Sequence, residues 1–200
     1  MRYNRIKNSL YIKNRKKYRD KVESNSVSIF VSNDELPTNA DELLPFVQNT
    51  NLLYLTGIDQ EDTYLIIAPQ FPDRRMREIL FIKETSEEIA IWEGNKLSRK
   101  EASEISGIET VLWNDQFEKI LPIILAESKN IYLDKNEHIR SSTEVETAQD
   151  RFINKIESKF PTYEIKRSYP ILSENRMIKR EEEISQIQTA CDITEKGFRR

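Results

Sequence analysis

One histidine and one cysteine supply the only imidazole and the only thiol of the chain. His138 lies in the polar stretch Asp134–His138, and Cys191 lies far away in sequence. A metal site that contains histidine needs the imidazole clustered with carboxylates or thiolates. We therefore interpret His138 as a solvated loop histidine rather than a chance ligand. Cys191 lies on an apolar stripe with no base beside it, so we predict a small buried residue rather than a nucleophile.

The acidic pairs and the glycines add no further catalytic motif. Glu87-Glu88 and Glu181–Glu183 are typical of solvated charge. The four glycines are isolated from one another, so the sequence has no glycine-rich loop that could hold a phosphate group.

Size and composition exclude several classes of protein. Two hundred residues suit one large domain, or one domain and a fragment of another. A net charge of −3 argues against a dedicated nucleic-acid binder, and no apolar run approaches the ~18 residues that cross a bilayer. The opening segment lacks the apolar core of a secretory signal, and a single cysteine excludes an intramolecular disulfide. We expect a cytoplasmic protein with no nucleic-acid or membrane partner.

The first 21 residues are strongly basic, with Asp20 as their single acid. A basic arm that binds phosphates is one interpretation. The other is a surface helix whose apolar residues contact a core while the charges remain in solvent. We favour the surface helix, because the whole chain is acidic and this run contains no recognisable binding motif. Its inward-facing residues would be Leu10, Tyr11, Tyr18 and Val22.

Short apolar runs alternate with helical patterns along the chain. The predicted strands are Val27–Val31, Leu52–Thr56, Thr63–Ala68, Glu78–Ile82, Ile89–Trp92, Thr110–Leu112, Ile131–Leu133 and Tyr163–Lys166. The predicted helices after the basic segment run from Ser98 to Gly107, from about Asp115 to Ala126, from about Thr143 to Ser158 and from Arg180 onward. This alternation, with hairpin-like connections early in the chain, predicts an α/β fold with a mixed β-sheet flanked by helices.

The last predicted helix carries an apolar stripe and lacks a stop signal. Glu181–Glu183 suit the positive end of its dipole. No capping residue follows the last periodic position, so we expect this helix to need a partner surface and the polypeptide to be a piece of a longer protein. The stripe consists of Ile184, Ile187, Cys191, Thr194 and Phe198.

The most specific pattern lies between Asn39 and Pro69. Phe46, Gln48, Asn51, the run Tyr54–Ile58 and Asp62 fit the order F-x-Q-x-(S/T)-(D/N)-(aromatic)2-Y-L-(T/S)-G-(F/I)-x-(E/Q)-x-(D/E). This segment resembles the N-terminal domain of aminopeptidase P, from the Xaa-Pro aminopeptidases of the creatinase metallopeptidase superfamily. Further stretches with the same resemblance are Ile79–Ile82 followed by Glu88–Gly94, then Leu121–Leu125, and the junction Arg176–Ile184.

The resemblance implies an arrangement in which this chain is not the catalytic part. Residues 1–175 would form the aminopeptidase P N-terminal domain, and residues 176–200 the junction and first helix of a truncated C-terminal catalytic domain. Two divalent metal ions, commonly manganese, would be held downstream by two Asp, one His and two Glu, none of them in this chain. The implied partners are the chain's own catalytic domain, further copies in a dimer or tetramer, and peptides with proline at the second position.

Leu53 and Tyr54 are the candidate substrate-entrance residues, because the family's N-terminal domain shapes access to a neighbouring active site. The chain departs from the family here, since Leu52 and Leu53 stand at positions that are usually aromatic. Packing in the sheet is the alternative for both candidates, and we favour it for Leu53. A stand-alone binding module of the same fold, without peptidase activity, is the alternative function.

Overall fold

The computed structural model describes residues 5–141 and 144–199, so Arg2, Thr143 and Arg200 lie outside the described part. Within that part, six strands form one sheet in the order β4-β3-β2-β1-β5-β6. The β1–β2 and β2–β3 pairs are antiparallel and the other three are parallel, which confirms the predicted mixed sheet. The strands are β1 Ser26–Val31, β2 Tyr64–Ile67, β3 Glu78–Ile82, β4 Thr110–Trp113, β5 Asn130–Leu133 and β6 Glu164–Arg167.

Helices cover both faces of the sheet, as the α/β prediction requires. The eight α-helices of the described residues are α1 Ser9–Arg19, α2 Thr50–Thr56, α3 Glu87–Glu93, α4 Arg99–Ser106, α5 Phe117–Ala126, α6 Ala148–Lys159, α7 Tyr169–Met177 and α8 Glu181–Phe198. Helices α1, α2, α4 and α7 pack on one face, and α5 and α6 on the other.

Alternating side chains of the central strands supply two separate cores. In β3, Leu80 and Ile82 face the α1–α2 side, whereas Ile79 and Phe81 face the α5–α6 side. Successive side chains of a strand point to opposite faces, so a strand that is apolar at every position is buried on both sides. The middle of the sheet therefore stabilises both helical layers.

Two of the predicted strands are helices in the structure. The run Leu52–Thr56 belongs to α2, because the Asn49 side chain accepts hydrogen bonds from two backbone amides of the first turn. Gly57 ends α2 in a left-handed conformation (φ 71°), and a Cβ there would lie 2.3 Å from the Tyr11 ring. The run Ile89–Trp92 belongs to α3, which begins where the Ser86 hydroxyl accepts the Ile89 amide.

The other predicted strands are confirmed within one or two residues, and α4 begins with the predicted capping box of Ser98 and Glu101. Helix α6 starts at Ala148, later than predicted, because Thr147 and Asp150 form a capping box there. Helix α7 was not predicted. It crosses the proposed boundary between residues 175 and 176, which stays a prediction.

The basic opening segment forms a surface helix with one buried side, as favoured from the sequence. Leu10, Tyr11 and Tyr18 are buried. Most of the segment's described cations form ion pairs within the chain. The interpretation as a basic arm that binds phosphates is therefore disfavoured. Among residues 5–21, the ion pairs are Lys13–Glu182, Arg15–Glu78, Lys16–Asp20, Arg19–Glu78 and Lys21–Glu174.

Arg15 is a fully buried cation that joins three elements to α1. Its Nη1 donates to the carbonyl oxygens of Leu55 (2.7 Å) and Ser106 (2.9 Å), which lie in the last turns of α2 and α4. Its Nε donates to Glu78 of β3 at 2.9 Å. A guanidinium suits this position, because the last carbonyls of a helix lack intrahelical donors and carry partial negative charge.

Helix α8 extends from the rest of the chain with no buried residue. Ile184, Ile187 and Phe198 are exposed, and so is Cys191, so the prediction of a buried cysteine is wrong for the described chain. Lys13 of α1 pairs with Glu182 in its first turn. Among the described residues, no helix combines the length and apolar character needed to cross a membrane.

Candidate functional site

The motif residues around α2 build a hydrogen-bonded framework. Gln48 is buried and donates from Nε2 to the carbonyl oxygens of Ile58 (3.2 Å) and Gln60 (2.7 Å). The Thr56 hydroxyl donates to Leu52 O and accepts the Ile58 amide. These bonds hold the segments before and after α2 together. Gln48, Thr56 and Ile58 of the sequence pattern therefore have a structural role, which is to fix the backbone around α2.

Asp134 follows β5 and is buried beside the start of α2. Its Oδ1 accepts the Asn51 side-chain amide at 2.9 Å, and Asn49 donates more weakly to Oδ2 at 3.4 Å. Burial raises the pKa of Asp134 to about 6, although the two amides act in the opposite direction. Sequence reasoning did not select this residue. The signal available was an acid directly after the buried run Ile131–Leu133.

Arg176 connects this carboxyl group to the junction that precedes α8. Its Nη1 donates to Asn51 Oδ1 at 2.8 Å and to Thr50 Oγ1 at 3.3 Å. Its guanidinium carbon lies 5.4 Å from the centre of the Tyr54 ring, which is a cation–π contact. A continuous polar chain therefore runs from Asp134 through Asn51 to Arg176, with Tyr54 beneath its end. We call these four residues the Asp134 relay.

Leu53 and Tyr54, the two predicted entrance residues, are both half-buried on α2. Tyr54 packs against the core on the α1–α2 face. Its phenol pKa is raised by burial and by the charge of Glu183, and lowered by Arg180 and Arg176. Tyr54 therefore lies close to the start of α8. Whether either side chain contacts a substrate stays a prediction.

A polar cavity of about 270 Å³ opens at the carboxyl end of β1. Arg151 of α6 spans it and pairs with Asp34. The rings of Tyr64 and Phe152 line it and both contact Phe117, with Tyr64 and Phe117 stacked at a centroid distance of 4.5 Å. The cavity lining mixes acids and bases: Arg151 and Asp34 pair with each other, whereas Glu61 and Lys155 pair with groups outside the cavity. This arrangement indicates no particular ligand.

The described residues do not fit a catalytic metal centre. His138 is exposed in the loop after β5, as predicted, and its Nδ1 accepts the Arg140 backbone amide. Among residues 5–141 and 144–199, no three or more His, Cys, Asp or Glu side chains are grouped so that they could hold a metal ion.

The chain belongs to the family of the aminopeptidase P N-terminal domain, whose model matches residues 11–132. It is 27% identical to a Xaa-Pro aminopeptidase of Haemophilus influenzae over 176 residues, which are 88% of this chain and 38% of that protein. Human Xaa-Pro aminopeptidase 3 is 22% identical over 85% of this chain and 33% of its own length. The chain thus spans about a third to two fifths of these curated relatives.

Solved structures show the same fold. A protein from Bacillus anthracis assigned as an aminopeptidase P superimposes with a TM-score of 0.79 at 29% identity, over 90% of this chain and 42% of that one. A variant of Escherichia coli aminopeptidase P superimposes with a TM-score of 0.77 at 20% identity, over 96% of this chain and 43% of that one. The mixed sheet flanked by helices is therefore the fold of the aminopeptidase P N-terminal domain.

Proposed function

We propose that this chain is the non-catalytic N-terminal domain of a metal-dependent Xaa-Pro aminopeptidase, an enzyme that removes an N-terminal residue preceding proline. The observation that carries the proposal is the family match over residues 11–132, in a chain that spans only part of relatives named Xaa-Pro aminopeptidase. In this proposal the chain shapes substrate access and takes part in oligomerisation, and the chemistry takes place in a catalytic domain of which residues 176–200 are the junction and first helix.

The proposed partners follow from that arrangement. They are the catalytic domain, further copies of the protein in a dimer or tetramer, and peptides with proline at the second position. Two divalent metal ions, manganese in this proposal, bind outside this chain. The exposed apolar stripe of α8 supports a partner domain, because a helix with no buried residue gains stability from a covering surface. We place the enzyme in the cytoplasm.

The enzyme assignment is tested with the full-length protein encoded by the source gene. After loading with Mn²⁺, it should release the first residue from an Xaa-Pro peptide and leave a matched Xaa-Ala peptide largely intact. A full-length protein that holds no metal and cleaves neither peptide would contradict the proposal. It would favour the second candidate, a binding module of the same fold.

The role in substrate access is tested at Tyr54, which has a part-exposed ring beside the start of α8. In the full-length enzyme, Tyr54→Ala should change kcat/KM for a short and a long Xaa-Pro peptide to different extents, because a wall residue orients the substrate. Tyr54→Phe is the matched control, since it keeps the ring beneath Arg176. Metal content should stay the same in both variants.

Thermal unfolding separates that role from simple packing. If Tyr54 served only the core, its truncation would cost about 3–5 kcal/mol and reduce activity on both peptides alike through loss of folded enzyme. A stable Tyr54→Ala enzyme with unchanged kinetics on both peptides would remove Tyr54 from the entrance.

A further inference from the structure

Asp134 and Arg176 carry opposite charges but do not touch, and the Asn51 side chain lies between them. Asn51 Nδ2 donates to Asp134, at 2.9 Å to Oδ1 and 3.2 Å to Oδ2. Asn51 Oδ1 accepts from Arg176 Nη1 at 2.8 Å. An ionised carboxylate can only accept hydrogen bonds and a guanidinium can only donate them. The Asn51 amide is therefore held in one orientation, with its NH2 group towards Asp134 and its oxygen towards Arg176.

Arg176 is the residue through which this arrangement reaches the junction. It lies in the last turn of α7, four residues before the cap of α8 at Arg180. Its guanidinium is fixed by Asn51, by Thr50 and by the Tyr54 ring. The backbone that leads to α8 is therefore anchored at Arg176. The position of the Arg176 side chain depends in turn on the orientation of the Asn51 amide.

We propose that Asp134 is a positioning residue: through Asn51 it holds Arg176 over Tyr54 and so fixes the junction between α7 and α8. This inference rests on the proposed function in one respect: the proposed function supplies the catalytic domain that the junction would hold in position. The contacts themselves lie within the described chain, and they can be tested without any peptidase assay.

A proton on Asp134 would disrupt the relay by changing which groups donate. A neutral carboxyl group accepts more weakly than a carboxylate, and its O–H group can pair with Asn51 Oδ1. It therefore holds the Asn51 NH2 group less firmly and makes the opposite, flipped orientation of the amide accessible. The flipped amide would present its NH2 group to Arg176, so two donors would face each other. Because burial raises the pKa of Asp134 to about 6, this change falls in the mildly acidic range.

Charged and titratable groups from three elements face Asp134. Glu137, in the segment after β5, raises its pKa, and Arg176 of α7 lowers it. Tyr18 of α1 is close enough for the Asp134 charge to raise the pKa of the phenol. The helix α2 contributes the Asn49 and Asn51 amides, which lower the pKa of Asp134. Asp134 is the member of this group expected to change charge between pH 5 and 8.

Hydrogen exchange of the 200-residue chain, followed by mass spectrometry from pH 5 to pH 8, tests the relay. After correction for intrinsic exchange, the amides of residues 177–184 should exchange about tenfold faster at pH 5 than at pH 8, because a hydrogen bond to a charged group is lost. Asp134→Asn should remove this pH dependence. Glu137→Gln should keep it and shift its midpoint to lower pH, because the charge that raises the pKa of Asp134 is gone.

Asn51→Ala keeps the carboxyl group but breaks the relay, and it serves if Asp134→Asn does not fold. It should remove the pH dependence at residues 177–184 while the Asp134 carboxyl still titrates, as followed by its ¹³C chemical shift. If exchange of the junction in the unaltered chain did not depend on pH, the proposal would be overturned. The same holds if Asp134→Asn or Asn51→Ala kept the full pH dependence. Either result would leave the assignment as a peptidase domain standing.

Discussion

The Asp134 carboxyl group is kept out of water next to amides rather than directly against a cation. Its pKa in the folded protein, about 6, lies above the ordinary value of 3.8. The folded state therefore binds this proton more tightly than the unfolded state does. The resulting stability is fully present below about pH 4 and is lost as the pH rises through 6. At neutral pH, the buried charge destabilises the fold.

Asp134→Asn should therefore be more stable than the unaltered chain at pH 8, by about 2–3 kcal/mol for a pKa shift of about two units. The difference should shrink towards zero near pH 4. Urea unfolding at pH 4, 6 and 8 measures it. Asp150→Asn is the control of opposite sign: Lys135 and Thr147 hold the pKa of Asp150 at about 2, so that variant should be less stable at pH 8. A destabilised Asp134→Asn at pH 8 would contradict the prediction.

Arg15 gives a second prediction at this scale. Arg15→Met should reduce the free energy of unfolding by about 3–5 kcal/mol, because it leaves two helix-end carbonyls without their donor and removes the buried one of the two cations that pair with Glu78. Arg19→Met is the matched control: it removes a more exposed partner of the same carboxylate and should cost at most about 1 kcal/mol. Denaturant unfolding measures both variants. An equal loss of unfolding free energy in the two would contradict this prediction.

Sequence reasoning identified some residues of the site but not how they meet. Asn51 and Arg176 were both recognised as members of motifs, whereas their common partner Asp134 was read as part of a polar stretch. The Asn51–Asp134 bond joins positions 83 residues apart, and the Asn51–Arg176 bond joins positions 125 apart. The burial that raises the pKa of Asp134 arises only when α2 packs beside the end of β5, and no local pattern reports that.

At the scale of elements, the two incorrect strand predictions have one physical cause. Leu52–Thr56 and Ile89–Trp92 are runs of four or five mainly apolar residues, and periodicity cannot distinguish a strand from a buried helical turn at that length. The signals that distinguish a helix from a strand at these two places are the N-terminal capping residues. Asn49 and Ser86 satisfy free amides at the starts of α2 and α3. The Ser98 capping box, recognised from its spacing, gave a correct helix.

Helix α8 should be the least protected element of the isolated chain. It has no buried residue, and an amphipathic helix without a partner is marginally stable in water. Hydrogen exchange should therefore show its central amides, around Gln188–Asp192, opening far more readily than those of β2, which lies inside the sheet. Similar protection in the two segments would show that α8 does not need a covering surface.

At the scale of the whole molecule, the chain by itself should bind no catalytic metal and cleave no Xaa-Pro peptide. The single histidine is exposed, and the described residues contain no group that could hold a metal ion. Elemental analysis after dialysis against Mn²⁺ or Zn²⁺, with a proline-peptide assay, checks both points. The full-length protein is the positive control. Retained stoichiometric metal together with hydrolysis by the 200-residue chain would refute the prediction.

The overall architecture could be predicted because the sheet is built from strong local signals. Runs such as Glu78–Ile82, apolar at nearly every position, indicate a strand buried on both faces, and the early hairpin-like connections indicated a mixed sheet. Helix α7 could not be predicted in the same way. Its nine residues carry Leu172 and Asn175 as the only buried side chains, so its sequence has little periodicity to detect.

The Arg15 contacts also set an order of events during synthesis. Helix α1 leaves the ribosome before the acceptors of Arg15, which follow 40, 63 and 91 residues later. The guanidinium cannot gain its full set of partners until Ser106 has emerged, because the Ser106 carbonyl is the last of its acceptors in the chain. Helix α1 can therefore reach its final position only after β1, α2, β2, β3 and α4 have been synthesised. Any sheet that β1, β2 and β3 form before that point has the flank covered by α1 open to solvent.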